Sequence, residues 1–244
     1  MKIIGIIPAR YGSSRFPGKP LVNIDGKSMI QRVYEQASKC SRLDAVVVAT
    51  DDVRIADEVS SFGGKYQLTS AAHQSGTDRC AEVIRKLPGY DVVINIQGDE
   101  PYINPAQINL LISCFDASTV QLATLVKRIY TNEELFNTNI PKVVLNASAE
   151  AVYFSRQVIP FIRGKEKEVW LEEHEFYKHI GIYGYTAATL LEITKLEPSL
   201  LEQAESLEQL RWVENGYTIQ TKTTEIETIA VDAPEDLIRI KSLI

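Results

Sequence analysis

Three short, almost purely apolar runs, each followed by a segment with helical periodicity, constrain the fold of this chain most strongly. The runs are Ile3–Ile7, Ala45–Thr50 and Val92–Ile96. A strand that is apolar on both faces needs cover on both faces, which is typical of parallel strands between two layers of helices. The sequence therefore predicts an α/β fold with a doubly wound, mostly parallel open sheet. In such a sheet the ligand site lies beyond the carboxyl ends of the strands.

The remaining elements follow from hydrophobic periodicity and from glycine and proline breaks. The expected helices are Met29–Ser38, Val53–Phe62, Thr77–Lys86, Leu200–Glu214 and one that starts near Pro234. The further strands are expected at Lys65–Leu68, Gln121–Val126, Val143–Leu145, Ala151–Phe154, Ile180–Tyr185 and Tyr217–Thr221. No repeat or flexible linker divides the chain, so we expect one domain over residues 1–244, in which residues 141–185 form a lobe or dimer arm.

The composition excludes several classes of protein. The net charge of -6 argues against nucleic-acid binding, which usually needs a basic face. No run approaches the roughly 20 apolar residues of a membrane span, and the first apolar run is too short for a signal peptide. We therefore expect a cytoplasmic protein that does not contact a membrane. The 3 cysteines, Cys40, Cys80 and Cys114, are widely spaced, which predicts reduced, buried thiols.

A basic loop follows the first strand. Arg10, Arg15 and Lys19 lie in a segment that has no acidic residue before Asp25, although the chain as a whole is acidic. Fixed positive charge at the end of a buried strand predicts a polyanionic ligand, such as a nucleoside triphosphate. A surface turn with solvated charges is the alternative interpretation.

The glycine spacing in this loop excludes two common phosphate-binding motifs. A dinucleotide fingerprint needs G-x-G-x-x-G, but Gly12 and Gly18 are too far apart for it. A P-loop needs a hydroxyl after its lysine, and Pro20 stands in that position. We therefore expect a longer loop, in which cations neutralise the phosphate oxygens and small residues donate backbone N–H groups. The expected N–H donors are Gly12, Ser13 and Ser14.

Two aspartates that follow predicted strands are candidates for holding Mg²⁺, which prefers one or two carboxylates together with phosphate oxygens. Asp99 follows Val92–Ile96, and Asp232 follows a late apolar segment. A turn-forming role for Asp99 and a helix cap for Asp232 are the alternatives. We interpret Asp51 and Asp52 as mainly structural, because an aspartate that follows a strand commonly caps the next helix.

Arg79 lies in the first turn of a predicted helix, whose N-terminus we expect near Thr77 or Asp78. A cation in that position opposes the helix dipole and needs a nearby anion. Arg79 is therefore a candidate for contacting an anionic ligand. An exposed, solvated arginine is the alternative.

The segment Pro8–Leu21 (Pro-Ala-Arg-Tyr-Gly-Ser-Ser-Arg-Phe-Pro-Gly-Lys-Pro-Leu) resembles the N-terminal signature of CMP-Kdo synthetases, the 3-deoxy-manno-octulosonate cytidylyltransferases. The sialic acid cytidylyltransferases have a looser form of this signature. The resemblance spans nearly the whole chain. Its further motifs are Ser75–Arg79, Gln97–Pro101, Tyr153–Pro160, His179–Tyr185, Leu207–Arg211 and Val231–Asp236, where Ala233 replaces the family's usual threonine.

The resemblance implies a nucleotide-diphospho-sugar transferase-like fold with a smaller sugar-binding and dimerisation lobe. It also implies the reaction of CTP with Kdo to CMP-Kdo and pyrophosphate, for lipopolysaccharide biosynthesis, with Mg²⁺ held by Asp99 and Asp232. A homodimer is implied, formed around Ile159–Lys178. No general base is evident from the sequence. A cytidylyltransferase for another sugar acid, such as 8-amino-Kdo or sialic acid, and a non-catalytic nucleotide-binding module are the alternatives.

The residues predicted for the site form three sets. Catalytic roles are expected for Arg15, Lys19, Asp99 and Asp232. Nucleotide contacts are expected from Ala9, Arg10, Gly12, Ser13, Ser14, Arg15, Lys19, Arg79 and Gln97. By the resemblance, the sugar acid is contacted by Gln97, Arg156, Arg163, His179, Tyr183, Glu208 and Gln209, with Arg156 pairing with its carboxylate.

Overall fold

A computed structural model describes residues 1–12, 16–227 and 229–237 of the chain. Its strands are β1 (Ile3–Ala9), β2 (Asn23–Ile24), β3 (Lys27–Ser28), β4 (Ala45–Thr50), β5 (Tyr66–Leu68), β6 (Val92–Asn95), β7 (Leu122–Arg128), β8 (Lys142–Leu145), β9 (Ala151–Ser155), β10 (Tyr177–Thr186) and β11 (Gln220–Thr223). Its α-helices are α1 (Met29–Ser38), α2 (Val53–Ser61), α3 (Gly76–Lys86), α4 (Pro105–Ile112), α5 (Asn132–Phe136), α6 (Trp170–Glu173), α7 (Ala187–Ile193), α8 (Leu200–Glu205) and α9 (Gln209–Glu214). Short 3-10 helices span Lys19–Leu21, Ser113–Asp116 and Lys167–Val169.

The central sheet runs in the order β11-β7-β10-β6-β1-β4-β5. In this part of the sheet β10 is antiparallel to both of its neighbours, whereas the other pairings that involve β1, β4, β5, β7 and β11 are parallel. The hairpin β8–β9 extends the sheet from one end of β10. The predicted doubly wound, mostly parallel open sheet is therefore confirmed.

The apolar runs of the strands are explained by two layers of helices. Ile3 and Ile7 of β1 pack in a core with α1, α2 and α4, whereas Ile4 and Ile6 pack in a second core with α3, α7 and α9. Alternate side chains of a strand point to opposite faces, so both sets must be apolar when both faces are covered. Burying one such side chain contributes about 1.5–3 kcal/mol, which holds the strand ends in place.

The helix starts that lead away from the strand ends are capped by side chains. Ser28 accepts a hydrogen bond from the Gln31 amide at the start of α1, and Asp52 caps α2, as the sequence predicted for it. The N-terminus of α3 lies near Thr77 and Asp78, as expected from the sequence, and its cap is Ser75. Asp78 completes a capping box with Ser75, because its carboxylate accepts from the Ser75 amide.

Two predictions for the second half of the chain were wrong in part, and the middle of the chain contains a helix that was not predicted. The helix expected over 200–214 is broken, because Ser206 adopts a left-handed conformation (φ 52) between α8 and α9. β11 begins at Gln220 and not at Tyr217. α4 was missed, although Asn104 as the cap and Pro105 in the first turn are typical of a helix start. The helix expected from near Pro234 lies largely outside the described residues.

The segment 141–185 contributes to two parts of the structure. Its last strand, β10, is a central strand of the main sheet, while β8 and β9 form the lateral hairpin. Trp170 and Phe176 pack with Ile129 and Leu135 in a small core of their own. The role of this segment as a lobe or dimer arm stays a prediction.

The described cysteines are all free and buried, which confirms the predicted reduced thiols. No helix within the described ranges has both the length and the apolar character needed to cross a membrane.

Candidate active site

A cavity of about 530 Å³ opens where β1 and β6 end. These two strands are parallel neighbours, so their carboxyl ends lie at the same edge of the sheet, as a doubly wound fold requires of a ligand site. The predicted site residues that line this cavity are Ala9, Arg10, Lys19, Arg79, Gln97, Asp99, Tyr183, Glu208 and Asp232.

Lys19 is the central cation of the cavity. Gly18 adopts a left-handed conformation (φ 73) and the chain then enters the short 3-10 helix at Lys19, with Pro20 in its first turn. The Lys19 ammonium donates to Asp99 Oδ2 at 2.7 Å and to the Val231 carbonyl oxygen at 2.8 Å. It lies 3.6 Å from Asp232 Oδ1. The lysine therefore joins the basic loop to both predicted metal-binding aspartates.

Asp99 and Asp232 come from distant parts of the chain and meet through the backbone. The Val231 amide donates to the Asp99 carbonyl oxygen at 2.9 Å, which places the two aspartates beside the same ammonium. No group of three or more histidine, cysteine, aspartate or glutamate side chains in the described ranges is arranged to hold a metal alone. Two carboxylates fit Mg²⁺ when substrate phosphates complete its coordination. The donor set therefore suits a cation that is bound together with a nucleotide.

Gly98 is required by the close packing of the chain beside the end of β1. A Cβ atom on Gly98 would lie 2.7 Å from the Pro8 carbonyl oxygen. Any larger residue would push the end of β1 away from the chain segment that carries Asp99. Gly98 therefore keeps the two walls of the cavity in contact.

Arg79 lines the cavity, but its immediate partners belong to the protein. Its guanidinium donates to Thr69 Oγ1 at 2.5 Å and lies 3.1 Å from Asp51 Oδ1. Arg79 is 4% exposed, so the alternative of a solvated arginine is wrong. The anion that a cation near a helix N-terminus needs is supplied by Asp51, in agreement with the structural interpretation of that aspartate. A direct nucleotide contact by Arg79 stays a prediction.

The inner wall of the cavity is polar but carries less charge. Glu208, just before α9, accepts a hydrogen bond from Thr77 Oγ1 at 2.7 Å. Burial raises the pKa of the Glu208 carboxyl, and hydrogen bonds from Thr77 and Ser75 oppose that shift. The Tyr183 hydroxyl is buried and has no hydrogen-bond partner within the described part of the chain. Burial also raises the pKa of Tyr183, so this hydroxyl stays protonated at neutral pH and can hydrogen-bond a ligand.

The comparisons with known proteins agree with this geometry. A family model described as cytidylyltransferase matches residues 4–226. A 3-deoxy-manno-octulosonate cytidylyltransferase of Parabacteroides distasonis is 58% identical over 97% of this chain and 96% of its own. The enzyme of the same name from Phocaeicola vulgatus is 55% identical over 100% and 98%. The chain belongs to the 3-deoxy-manno-octulosonate cytidylyltransferase family.

A solved structure supports the same conclusion for the fold. It is CMP:2-keto-3-deoxy-manno-octonic acid synthetase complexed with CTP, which is 43% identical and superposes with a TM-score of 0.93 over 100% of this chain and 98% of that one. The chain is thus a nucleotidyltransferase, and the family indicated by the sequence motifs is confirmed.

Two residues that the family resemblance assigned to the sugar acid lie behind the cavity wall. The His179 Nε2 atom is 3.0 Å from Thr124 Oγ1, and the edge of the ring packs against Phe154. Burial lowers the pKa of His179 to about 4, so the ring is neutral at neutral pH. Gln209 is 4% exposed, and its amide nitrogen has no partner among the described residues. Their substrate contacts stay predictions.

The two arginines expected to contact the sugar acid are not among the residues that line the cavity. The Arg156 guanidinium donates to the backbone carbonyl oxygens of Glu205 at 2.7 Å and of Ser206 and Thr138 at 3.3 Å. It thereby ties the end of β9 to the break between α8 and α9. Arg163 is exposed in a loop. The structure does not bring either guanidinium to the cavity, and their role in binding the carboxylate is untested.

The basic loop is described only at its two ends. Gly12 is exposed and does not line the cavity. Ser13, Ser14 and Arg15, which the sequence predicted as phosphate-binding residues, lie outside the described residues. Arg10 and Lys19 are the described cations of this loop region that line the cavity.

Several lining residues were missed as site residues. Asn95 interrupts the apolar run of β6, is 4% exposed and lines the cavity. A polar residue inside an otherwise apolar strand could have identified Asn95 as a site residue, because burial of an amide needs polar neighbours. Most of the others belong to the loop and first turn of α3, a stretch from which only Arg79 was chosen: His73, Gln74, Ser75, Gly76 and Thr77. The rest are Pro8, Pro20 and Gly98.

Proposed function

We propose that the protein transfers the cytidylyl group of CTP to Kdo and releases pyrophosphate. The observation that carries this proposal is one cavity with two unlike ends. At one end, Lys19 lies beside Asp99 and Asp232. At the other, Glu208 and Tyr183 present polar groups to the same space. The names of the relatives, which are 3-deoxy-manno-octulosonate cytidylyltransferases, support this choice of nucleotide and sugar acid.

The charged end suits the triphosphate. Arg10 and Lys19 supply positive charge at the end of β1, where phosphate oxygens can accept charge-assisted hydrogen bonds. Lys19 is already hydrogen-bonded to Asp99 and to the Val231 carbonyl, so its ammonium is held in the cavity before any ligand arrives. This arrangement lowers the cost of ordering the side chain when CTP binds.

Asp99 and Asp232 would hold Mg²⁺ together with phosphate oxygens. When bound, the cation supplies Lewis-acid polarisation of the reacting phosphoryl group and partial neutralisation of its charge. The aspartates keep their position through the backbone hydrogen bond between Val231 and Asp99.

The inner wall suits the sugar acid. Thr77 orients the Glu208 carboxylate, and the Tyr183 hydroxyl has a free hydrogen-bonding capacity within the described part of the chain. These groups would hold Kdo so that its anomeric hydroxyl faces the α-phosphorus for in-line attack. Positioning and charge neutralisation then account for most of the rate enhancement.

The cellular location and the oligomeric state of the enzyme are part of the same proposal. CMP-Kdo is an activated sugar for lipopolysaccharide biosynthesis, and CTP is a cytoplasmic metabolite, so we place the enzyme in the cytoplasm. We also propose a homodimer, formed through the region 159–178. In this region Phe161 is 72% exposed, although it packs against the ring of Trp170.

A pyrophosphate-release assay tests the proposed function. The purified chain is given Mg²⁺ and each of CTP, UTP and ATP, with Kdo, 8-amino-Kdo or N-acetylneuraminic acid as the acceptor. We expect the highest kcat/KM with CTP and Kdo. A higher kcat/KM with another acid would identify that acid as the substrate. CTP binding without turnover of any acid would favour a non-catalytic nucleotide-binding module.

A further inference from the structure

Tyr11, at the start of the basic loop, is held on one side by Arg54. The Arg54 guanidinium carbon lies 3.3 Å from the centre of the Tyr11 ring. Asp52 fixes that guanidinium, because Arg54 Nε donates to Asp52 Oδ1 at 2.9 Å and a terminal nitrogen donates to Asp52 Oδ2 at 2.6 Å. Asp52 also caps α2. The stacked cation is therefore anchored to a helix that follows the neighbouring strand, β4.

Tyr11 is joined on its other side to Gly18, at the end of the loop. The Gly18 amide donates to the Tyr11 carbonyl oxygen at 2.9 Å. A Cβ atom on Gly18 would lie 3.2 Å from atoms of the Tyr11 ring, so the glycine packs closely on that ring. Gly18 is followed at once by Lys19, whose ammonium reaches Asp99. A continuous chain of contacts thus runs from α2 to the central cation of the cavity.

We propose that Arg54 is a positioning residue that clamps Tyr11 and thereby fixes Lys19 for the triphosphate. The inference rests on the proposed use of this loop for CTP. Neither Arg54 nor Asp52 lines the cavity that the described residues form, so the effect of Arg54 is transmitted through Tyr11 and Gly18. A guanidinium over a tyrosine face is a favourable contact, and the fork to Asp52 keeps it in one orientation. Without the clamp, the loop ends would sample more conformations before binding.

Calorimetric titration of CTP, without any sugar acid, measures this positioning directly. For Arg54→Ala we expect about a tenfold weaker CTP affinity and a similar rise in KM for CTP, while KM for Kdo changes less than about twofold. Arg54→Lys should fall between the two proteins, since it keeps a cation but loses the fork. The matched control is Arg42→Ala, which removes another arginine that donates two hydrogen bonds to an aspartate, Asp116. We expect native CTP affinity for this control.

Hydrogen exchange of the free protein distinguishes the clamp from a general role of Arg54 in stability. In Arg54→Ala the Gly18 amide should exchange faster than in the wild type, and Arg42→Ala should leave it unchanged. Faster exchange confined to α2, with native exchange at Gly18, would overturn the proposal. Native CTP affinity in Arg54→Ala would also overturn it.

A double-mutant cycle provides a second test. Tyr11→Leu removes the ring, so adding Arg54→Ala to it should weaken CTP binding by less than twofold more. Fully additive losses would contradict the clamp. The CTP titration, the hydrogen exchange and the double-mutant cycle do not use the sugar acid, so failure of the Kdo assay would leave the clamp intact. Wild-type protein that binds no CTP would instead overturn the proposed function, while the exchange at Gly18 would still test the contact.

Discussion

The two ends of the cavity differ in how far their polar groups are exposed to solvent. The outer end is the one that carries Lys19, Asp99 and Asp232, and the inner end is the one that carries Thr77, Tyr183 and Glu208. At the outer end the charges are exposed to solvent: the side chain of Asp232 is 64% exposed and that of Asp99 is 25% exposed. At the inner end the polar groups are withdrawn, with Thr77 at 2% and Tyr183 at 7%. Solvated charges can exchange one counterion for another, whereas a buried polar group is costly unless the protein or a ligand supplies its hydrogen-bond partner. The outer end is thus suited to a charged, metal-bound ligand and the inner end to selecting shape and hydroxyl pattern.

The largest expected effect comes from removing charge at the outer end. In Asp99→Asn we expect kcat/KM to fall by about 1000-fold at saturating Mg²⁺, since a lost metal carboxylate costs several kcal/mol of transition-state stabilisation. Steady-state kinetics measure this. Asp116→Asn, at a surface ion pair with Arg42, is the control and should retain native kinetics. Near-native turnover of Asp99→Asn would show that the aspartate does not hold the metal.

Lys19→Ala tests whether the central cation serves the ligand or the fold. We expect kcat/KM for CTP to fall by about 100-fold, because charge-assisted hydrogen bonds contribute about 1.5–3 kcal/mol each. The melting temperature should change by only a few degrees, because the carboxylates that lose their partner are accessible to water. Lys27→Ala removes another lysine ion pair, with Glu35, and serves as the control. A large loss of melting temperature with native activity per folded molecule would refute the ligand-binding role.

A pH titration of stability probes the layer behind the inner wall. His179 has a pKa of about 4 in the folded protein against 6.5 for the free side chain, so the unfolded chain binds its proton first as the pH falls. Its contribution is present above about pH 6.5 and is lost between pH 6.5 and 4. Because the ring keeps some solvent access, we expect a loss of roughly 2 kcal/mol.

Denaturant unfolding of the wild type and of His179→Gln at several pH values measures this loss. The difference between the two curves isolates the histidine, since the other titrating groups are common to both proteins. The difference in stability between the two proteins should change by roughly 2 kcal/mol between pH 6.5 and 4. Parallel curves over this range would mean that His179 is protonated as easily in the folded state as in the unfolded one.

The smallest expected effect is at the inner wall itself. Glu208→Gln keeps the size of the side chain and a hydrogen-bond acceptor for Thr77, so the fold should be retained. We expect KM for Kdo to rise by about tenfold through loss of one charged hydrogen bond, with KM for CTP unchanged. Initial rates with each substrate varied in turn will show this. An equal rise in both KM values would show that Glu208 does not act selectively on the sugar acid. The two ends of the cavity would then not bind different substrates.

The outer end could be predicted from the sequence because its residues follow strands. A buried apolar run identifies a parallel strand, and the carboxyl ends of such strands meet, so Arg10, Lys19 and Asp99 were expected near one another. Asp52 as the cap of α2 follows from the same local rules. Its position after a strand also made Asp232 a candidate, but its pairing with Asp99 on one metal ion was implied by the family resemblance, since the two are far apart in the chain.

The inner end could not be predicted in the same way. Arg156 has the chemistry to pair with a carboxylate, yet the break at Ser206 presents backbone carbonyl oxygens that occupy its guanidinium. The hydrophobic periodicity of residues 200–214 predicts one continuous helix and gives no sign of the break between α8 and α9. Asn95 and Thr77 reach the cavity because α3 and β6 pack side by side, which depends on contacts between distant segments.

The sequence by itself determined the class of fold, the strand-end position of the cavity and several of the charged residues that line it, since each depends on local periodicity, capping or charge. Only the tertiary structure decided which polar side chains line the cavity and which form hydrogen bonds within the protein instead. It also decided that Asp99 and Asp232 lie beside the same ammonium group, that of Lys19. These outcomes depend on packing between segments far apart in the chain, where a single left-handed residue or an antiparallel strand redirects the side chains that follow.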